Sequence, residues 1–205
     1  YSLVGISSGT TSAKRSAGGI GGAVSFRSKA AADFLSGGKT SYFEGKLGYE
    51  GTDRSRHEAV TAAGRTGSLN GIVVYSRRDG RELRNNSDAI SSEPERWHSD
   101  ALLLKGGLQA DGANYLELAA DLYRRRNRST FSGWDADGER IVERSAQRNE
   151  TERNTLQLSH EWTPSASWVD LLDTRVHFQD TDMRDDTDTT TLASGQTRHD
   201  MSRNR

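Results

Sequence analysis

Five histidines, His57, His98, His160, His177 and His199, are the side chains best suited to metal ligation or proton transfer near neutral pH. None stands in an H-E-x-x-H motif, and no Ser/His/Asp spacing marks a nucleophile with its base. Carboxylates gather in DADGE at 135–139 and DTDMRDDTD at 180–188, but the glycine of DADG falls two places too early for a D-x-D-x-D-G calcium loop, so both stretches read as solvated loops. Scattered Asp and Glu pairs define no glycosidase site without geometry. The arginines of RRRNR at 124–128 could hold phosphates through bidentate hydrogen bonds. Gly18, Gly19, Gly21 and Gly22 surround Ile20. No Gly-Lys-Ser/Thr follows them and the G-x-G-x-x-G spacing is missing, so they cradle neither a mononucleotide nor a dinucleotide. These patterns predict a protein that is not an enzyme and that has no resident metal and no covalently bound cofactor.

Composition narrows the class. Of 205 residues, 32% are hydrophobic and 28% charged, with mean hydropathy -0.82, which disfavours a dense helical globule. A net charge of -1 gives no global field toward nucleic acid, so no nucleic-acid partner is expected. The absence of cysteine excludes a disulfide framework. Apolar runs such as ALLL at 101–104 are far shorter than the roughly eighteen residues of a membrane-spanning helix. The first residues lack the pattern of a signal peptide and the last stop in polar sequence, so a fragment cut at both ends is expected.

The elements that must position these side chains are strands. From about residue 41 apolar and polar residues alternate with period two. Phe43, Gly45, Leu47 and Tyr49 oppose Tyr42, Glu44, Lys46 and Gly48. Leu69, Gly71, Val73 and Tyr75 repeat the pattern, blurred by Ile72 and Val74. Leu102, Leu104, Gly106 and Leu108 continue it, and Leu116, Leu118, Ala120 and Leu122 give its cleanest instance. Leu156 and Leu158, then Leu172, Val176 and Phe178, complete the series, with HEAVTAAG at 57–64 a weaker strand.

Turn-like connections at 65–68, 110–113 and 163–167 alternate with longer polar ones at 51–57, 79–99, 125–150 and from 181. Loops longer than about fifteen residues are uncommon in compact soluble domains. Strands of about ten residues with short turns on one side and long loops on the other are what an outer-membrane barrel requires. A sheet crosses lipid only as a closed barrel, apolar side chains outward and polar ones toward the lumen. Tyr49, Tyr75 and Tyr123 near the long loops, and Trp162 and Trp168 beside the short turn, fit interfacial girdles. The alternative is a soluble sandwich with those rings in its core. The expected fold is all-β, part of an antiparallel transmembrane β-barrel with about seven or eight strands.

The first 40 residues add a motif. Val4 and Ile6, Gly9, Ser12 to Ala13, Gly18 to Val24, Phe26 to Lys29 and Asp33 to Leu35 together resemble the end of the plug domain and the beginning of the barrel in TonB-dependent outer-membrane receptors, in particular the haem, haemoglobin and transferrin/lactoferrin receptor branch. YSRRDGRELRN at 75–85 resembles the first long loop of the haemoglobin receptors. Gly5, Thr10 and Arg15–Ser16 depart from the family pattern and bear on the subfamily. Glycine lets another backbone come close, and Gly18, Gly19, Gly21 and Gly22 would suit plug packing inside a lumen.

The resemblance implies a division into residues 1–29, the end of the plug, 30–40, a plug-to-barrel linker with its hinge at Ala30–Lys39, and 41–205, the first barrel strands. It implies energised import of haem, as transported ligand, from a haemoprotein. The partners would be the TonB complex and outer-membrane lipid, the location the bacterial outer membrane. A siderophore receptor of the same fold is the nearest variant; a passive porin or adhesin barrel and a secreted soluble β enzyme are the others. The family's haem ligands are expected outside this chain. His177, facing the predicted lumen, and His98, in a long loop, are the candidates for substrate contact. Arg124, Arg125 and Arg126 are the candidates for lipopolysaccharide contact. Seven or so strands cannot close around a lumen, so the chain alone is expected to form an open sheet and no stable transporter.

Overall fold

The computed structural model describes residues 3–8, 22–83, 93–134, 141–165 and 168–205. Ten strands are present among them: β1 (Leu3–Ser8), β2 (Gly22–Arg27), β3 (Ser41–Glu50), β4 (Ser55–Thr66), β5 (Leu69–Arg81), β6 (Glu95–Gln109), β7 (Asn114–Trp134), β8 (Ile141–Trp162), β9 (Leu172–Thr191) and β10 (Thr197–Asn204). β1 and β2 pair antiparallel, Val4 opposite Phe26 and Ile6 opposite Val24. The other eight form one up-and-down sheet in which every chain neighbour is a sheet neighbour, from β3 at one edge to β10 at the other. Such a meander is the wall of a barrel. One short 3-10 turn, Ala31–Asp33, stands before it, closed by the N–H of the preceding Ala30, which donates to the Asp33 carboxylate at 2.8 Å.

Register aligns the apolar residues across strands. Phe43, Ala62, Val73, Leu104, Ala120, Leu156 and Phe178 lie opposite one another in a single row across β3 to β9. The next row toward the 110–113 turn carries Gly71, Gly106, Leu118, Leu158 and Val176. A one-residue slip would turn every such side chain to the other face, so this alignment is strongly specified. Yet the residues are not buried: Leu47 is 87% exposed, Leu118 52% and Leu158 50%. The leucine face is left uncovered by any other part of the described structure.

The core sits on the opposite face. Ala31 and Leu35 pack on Ala63 and Ile72, the latter only 2% exposed, with Phe34, Tyr42 and Val74 around them. The segment after the 3-10 turn therefore covers the β3–β5 corner, and this explains why Ile72 and Val74 break the alternation of β5: they meet protein where their neighbours along the same face meet polar groups.

Two expectations are corrected. Of the expected connections, residues 125–134 and 141–150 belong to the ladder, since β7 and β8 run paired from Asn114 opposite Trp162 up to Trp134 opposite Ile141, with one irregularity at Gly133/Trp134. From 181 the chain continues β9 to Thr191 and turns back as β10 from Thr197, and both ends of 79–99 belong to β5 and β6. Polar and charged residues stand on both faces of the β7–β8 extension, so the hydropathy alternation that marks a half-buried strand disappears while the backbone pairing persists. The acidic run 180–188 likewise lies within β9 and not in a loop. DADGE at 135–139 lies outside the described residues.

Candidate functional site

The strands overshoot the apolar rows on the side of the 51–54, 82–94, 135–140 and 192–196 connections, β7 continuing twelve residues past Leu122. On this tall side the leucine face turns ionic at once. Tyr75 donates its hydroxyl to Asp100 at 2.7 Å, and Arg77 pairs with the same carboxylate at 3.2 Å. One strand on, Arg124 pairs with Glu150 and Glu152, and Arg126 reaches Glu150 at 3.0 Å. Burial alone would raise the Glu150 carboxyl, but hydrogen bonds from Arg124 and Arg126 outweigh it and hold the group below the usual carboxylate range. Further round, Arg203 at 2.7 Å and Arg184 at 3.0 Å hold Asp182 at about 2, the Arg203 hydrogen bond being the larger cause. The Asp188 carboxylate raises His199 by a hydrogen bond across β9 and β10.

The strand period splits the arginine run. Arg124 and Arg126 stand on the leucine face, whereas Arg125 stands on the other, over the Trp97 ring at 5.5 Å. Tyr123 is on that opposite face too, under Arg153 at 5.6 Å, so it is not an outward girdle ring as its place in the sequence suggests. Tyr49 and Tyr75, 68% and 39% exposed, do share the face of the leucines. Trp162 lies on the same face at the short-turn end, opposite Asn114 and Leu172.

The opposite face is polar below and beside the Ala31–Leu35 patch. Lys105 and Glu117 pair at 3.5 Å, both largely covered. Beside them Gly107 leaves room for the Tyr115 ring to reach Asn70 at 3.4 Å; a Cβ at Gly107 would land on the Tyr115 hydroxyl. His177 lies on this face opposite Gln157, in the row of Lys105 and Ala119. His98 does not sit in a loop: it is within β6, on the leucine face between Asp79 and Arg126. His57 is on the opposite face beside Gly48 and Arg78, and His160 bonds Asn114 at 2.9 Å. The geometry therefore does not converge the histidines, and among the described residues no three His, Asp or Glu side chains are placed to hold a metal. Gly22 opens β2, while Gly18, Gly19 and Gly21 lie outside the described residues.

An open groove of about 770 Å³ on the tall side was not anticipated from sequence; Arg54, Arg56, Arg77, Arg81, Arg96 and Arg128 line it, with His98, Arg126 and a single carboxylate, Asp79. Its arginines come from four strands and one hairpin turn, and only their register brings them together.

No family model matches the chain. Hemoglobin-haptoglobin utilization protein B of Neisseria meningitidis serogroup C is 29% identical over 194 residues, which is 90% of this chain and 24% of that protein. The hemoglobin and hemoglobin-haptoglobin-binding protein of Haemophilus ducreyi is 32% identical over 136 residues, 61% of this chain and 14% of that protein. Transferrin-binding protein A of Neisseria meningitidis serogroup B is 35% identical over 84 residues, 41% of this chain and 9% of that protein. The chain thus spans about a quarter or less of the length of the curated relatives it matches. The similarity extends over 90% of the chain to a haemoglobin-haptoglobin utilization protein, over 61% to a haemoglobin-binding protein and over 41% to a transferrin-binding protein, the same group that its opening residues resemble.

Proposed function

We propose that the chain is part of a TonB-dependent receptor of the bacterial outer membrane that imports haem taken from haemoproteins. The observation that carries this is the exposed apolar row from Phe43 to Phe178 on one face of an eight-stranded meander whose other face is mainly polar outside the patch that Ala31 and Leu35 cover. Hydrocarbon is the solvent that tolerates such a face over seven strands, and water the one that suits the other. Outer-membrane barrels keep short turns in the periplasm and tall hairpins outside, so the overshooting ends of β7, β8 and β9 would stand above the cell surface. Residues 1–29 would end the plug, 30–40 link it to the wall and 41–205 build the wall. The Ala31–Leu35 patch on β4 and β5 supports this, as it lies on the face that would line the lumen.

Function then follows from architecture. Tall hairpins would capture the ligand, the polar lumen would conduct it, and the plug, packed through Gly18, Gly19, Gly21 and Gly22, would rearrange when the TonB complex pulls. Of the two histidine candidates His177 alone stands on the lumen side. Import of this kind makes and breaks no bond, and the relatives' names, those of binding and utilization proteins, support a role without catalysis. The names of the relatives favour a haemoprotein source over a siderophore.

A strain lacking the whole gene tests this with haemoglobin, free haem or a ferric siderophore as sole iron source. Loss of growth on haemoglobin, with growth on the siderophore kept, is expected. Unchanged growth on haemoglobin and loss on the siderophore would assign the siderophore variant instead.

A further inference from the structure

The cationic groove has a feature that the general account of import does not use. Register sets Arg81 opposite Arg96, Arg96 opposite Arg128, and Arg128 opposite Arg148, so four arginines stand abreast across β5 to β8. All four share the face of the leucines. Like charges directly opposed in a sheet destabilise it, and this row is not neutralised from within. Among the described residues none of the four forms an ion pair, although Arg77, Arg124 and Arg126, nearer the apolar band, all do. Asp186 faces Arg148 at the end of the row and Asp79 lies in the groove. Glu82 and Glu95, one residue along, alternate to the other face but still line a pocket with the four arginines, and Arg54 and Arg81 act on Glu82 at a distance without forming an ion pair with it. Arg54 and Arg56 add two further cations from the β3–β4 side.

Height chooses the ligand. Arg96 and Arg128 are six residues beyond Leu102 and Leu122, roughly 20 Å along the strands and about 15 Å along the membrane normal at a tilt near 40°. With the Leu116–Leu122 rows, themselves about 15 Å tall, centred in an apolar band of about 25 Å, the arginine row stands about 10 Å beyond the hydrocarbon. The headgroup layer of a simple phospholipid adds only about 5–8 Å per leaflet to the hydrocarbon. An anion reaching the row from the membrane must be carried on a taller headgroup. Planar guanidiniums in a file match phosphate oxygens bidentately.

We propose that the Arg81–Arg96–Arg128–Arg148 row binds the phosphate groups on the saccharide of a lipopolysaccharide molecule in the outer leaflet. The inference rests on the outer-membrane reading above. It moves the lipid contact away from the 124–126 run, whose Arg124 and Arg126 are held by Glu150 and Glu152 and whose Arg125 faces the other way.

The test uses the complete protein that carries this chain, folded in detergent, with purified lipopolysaccharide, the same lipid dephosphorylated, phosphatidylglycerol and inorganic pyrophosphate as probes. Arg96→Gln/Arg128→Gln should lower lipopolysaccharide affinity about tenfold or more, each lost charge-assisted contact being large. Arg96→Lys/Arg128→Lys should recover part of it, and Arg124→Gln should change it little. Dephosphorylated lipid and phosphatidylglycerol should bind the wild type no better than lipopolysaccharide binds the Gln variant, and pyrophosphate at equal concentration should not displace the lipid. Heat-modifiable gel mobility reports folding in every variant. Unchanged lipopolysaccharide affinity in a Gln variant that keeps this mobility overturns the site alone, as does a variant that loses only haemoprotein binding, which would give the row to a protein ligand. A wild type without heat-modifiable mobility overturns the membrane reading and the site with it.

Discussion

Placing a cation at Leu118 separates a lipid-facing wall from a water-facing one by the size of its effect. Leu118 is 52% exposed, between Gly106 on β6 and Leu158 on β8, so its replacement removes little protein contact. On β7 the apolar band runs from Leu116 to Leu122, which puts Leu118 one residue, about 3.4 Å along the strand, from the band's centre. A lipid-facing Arg near the midplane of a barrel costs about 2–4 kcal/mol, or on the order of 30- to 1,000-fold in the folding equilibrium. Leu118→Arg should show that loss by reversible urea unfolding of the complete protein in phospholipid vesicles. Thr155→Arg, on the opposite face between Asp121 and Gln179, should stay within about 0.5 kcal/mol. A surface Leu in a soluble domain also changes stability by only about 0.5 kcal/mol, so equal small effects at both positions would mean that Leu118 does not face lipid.

Three further outcomes follow from particular contacts. A Cβ at Gly80 would meet the Trp97 ring at 2.6 Å, so Gly80→Ala should expel that ring from its place under Arg125 and cost about 1–3 kcal/mol, read as a red shift in emission that a Trp97→Phe background lacks. Lys105→Met should destabilise by about 1–3 kcal/mol because Glu117 is left largely covered and unpaired, whereas Lys105→Met with Glu117→Met should recover most of the loss; equal losses in single and double variants would contradict the pairing. Asp182 is held at about 2 against an ordinary 3.8, so its contribution to the β9–β10 junction is complete above pH 3.8 and fades as pH falls toward 2. His199 has the opposite sign: raised by Asp188, it supports the same junction below its ordinary 6.5 and loses that effect as pH rises past its folded value. Amide exchange in β10 should therefore be slowest between these limits, and exchange independent of pH after correction for intrinsic rates would contradict both pairings.

The sequence shows its strands only where apolar and polar residues alternate. On the outer-membrane reading, Leu116 to Leu122 alternate because one side meets an apolar medium and the other a polar one. Arg124 to Trp134 and Val142 to Arg153 carry no such contrast, and what binds them is backbone pairing with ion pairs between residues far apart in the chain, as Arg124 and Glu150 are. That is why these stretches read as loops. Ile72 and Val74 did hold a signal, since apolar residues on a nominally polar face marked the place where Ala31 and Leu35 dock. The arginine row could not be seen in sequence, because Arg81, Arg96, Arg128 and Arg148 are isolated residues that meet only through the register of four strands. The reverse holds for Arg124 to Arg126, consecutive in sequence and divided between two faces.

If the protein is an outer-membrane barrel, its leucine face meets hydrocarbon and its opposite face meets water. The chain contains no cysteine, so single cysteines at Leu104, Leu158, Thr155 and Gln157 can each carry a fluorophore in the complete protein reconstituted into vesicles. Probes at 104 and 158 should be quenched by lipids brominated on their acyl chains and spared by aqueous iodide, and probes at 155 and 157 should show the reverse. Iodide quenching at 104 and 158 without quenching by the brominated lipids would contradict the account.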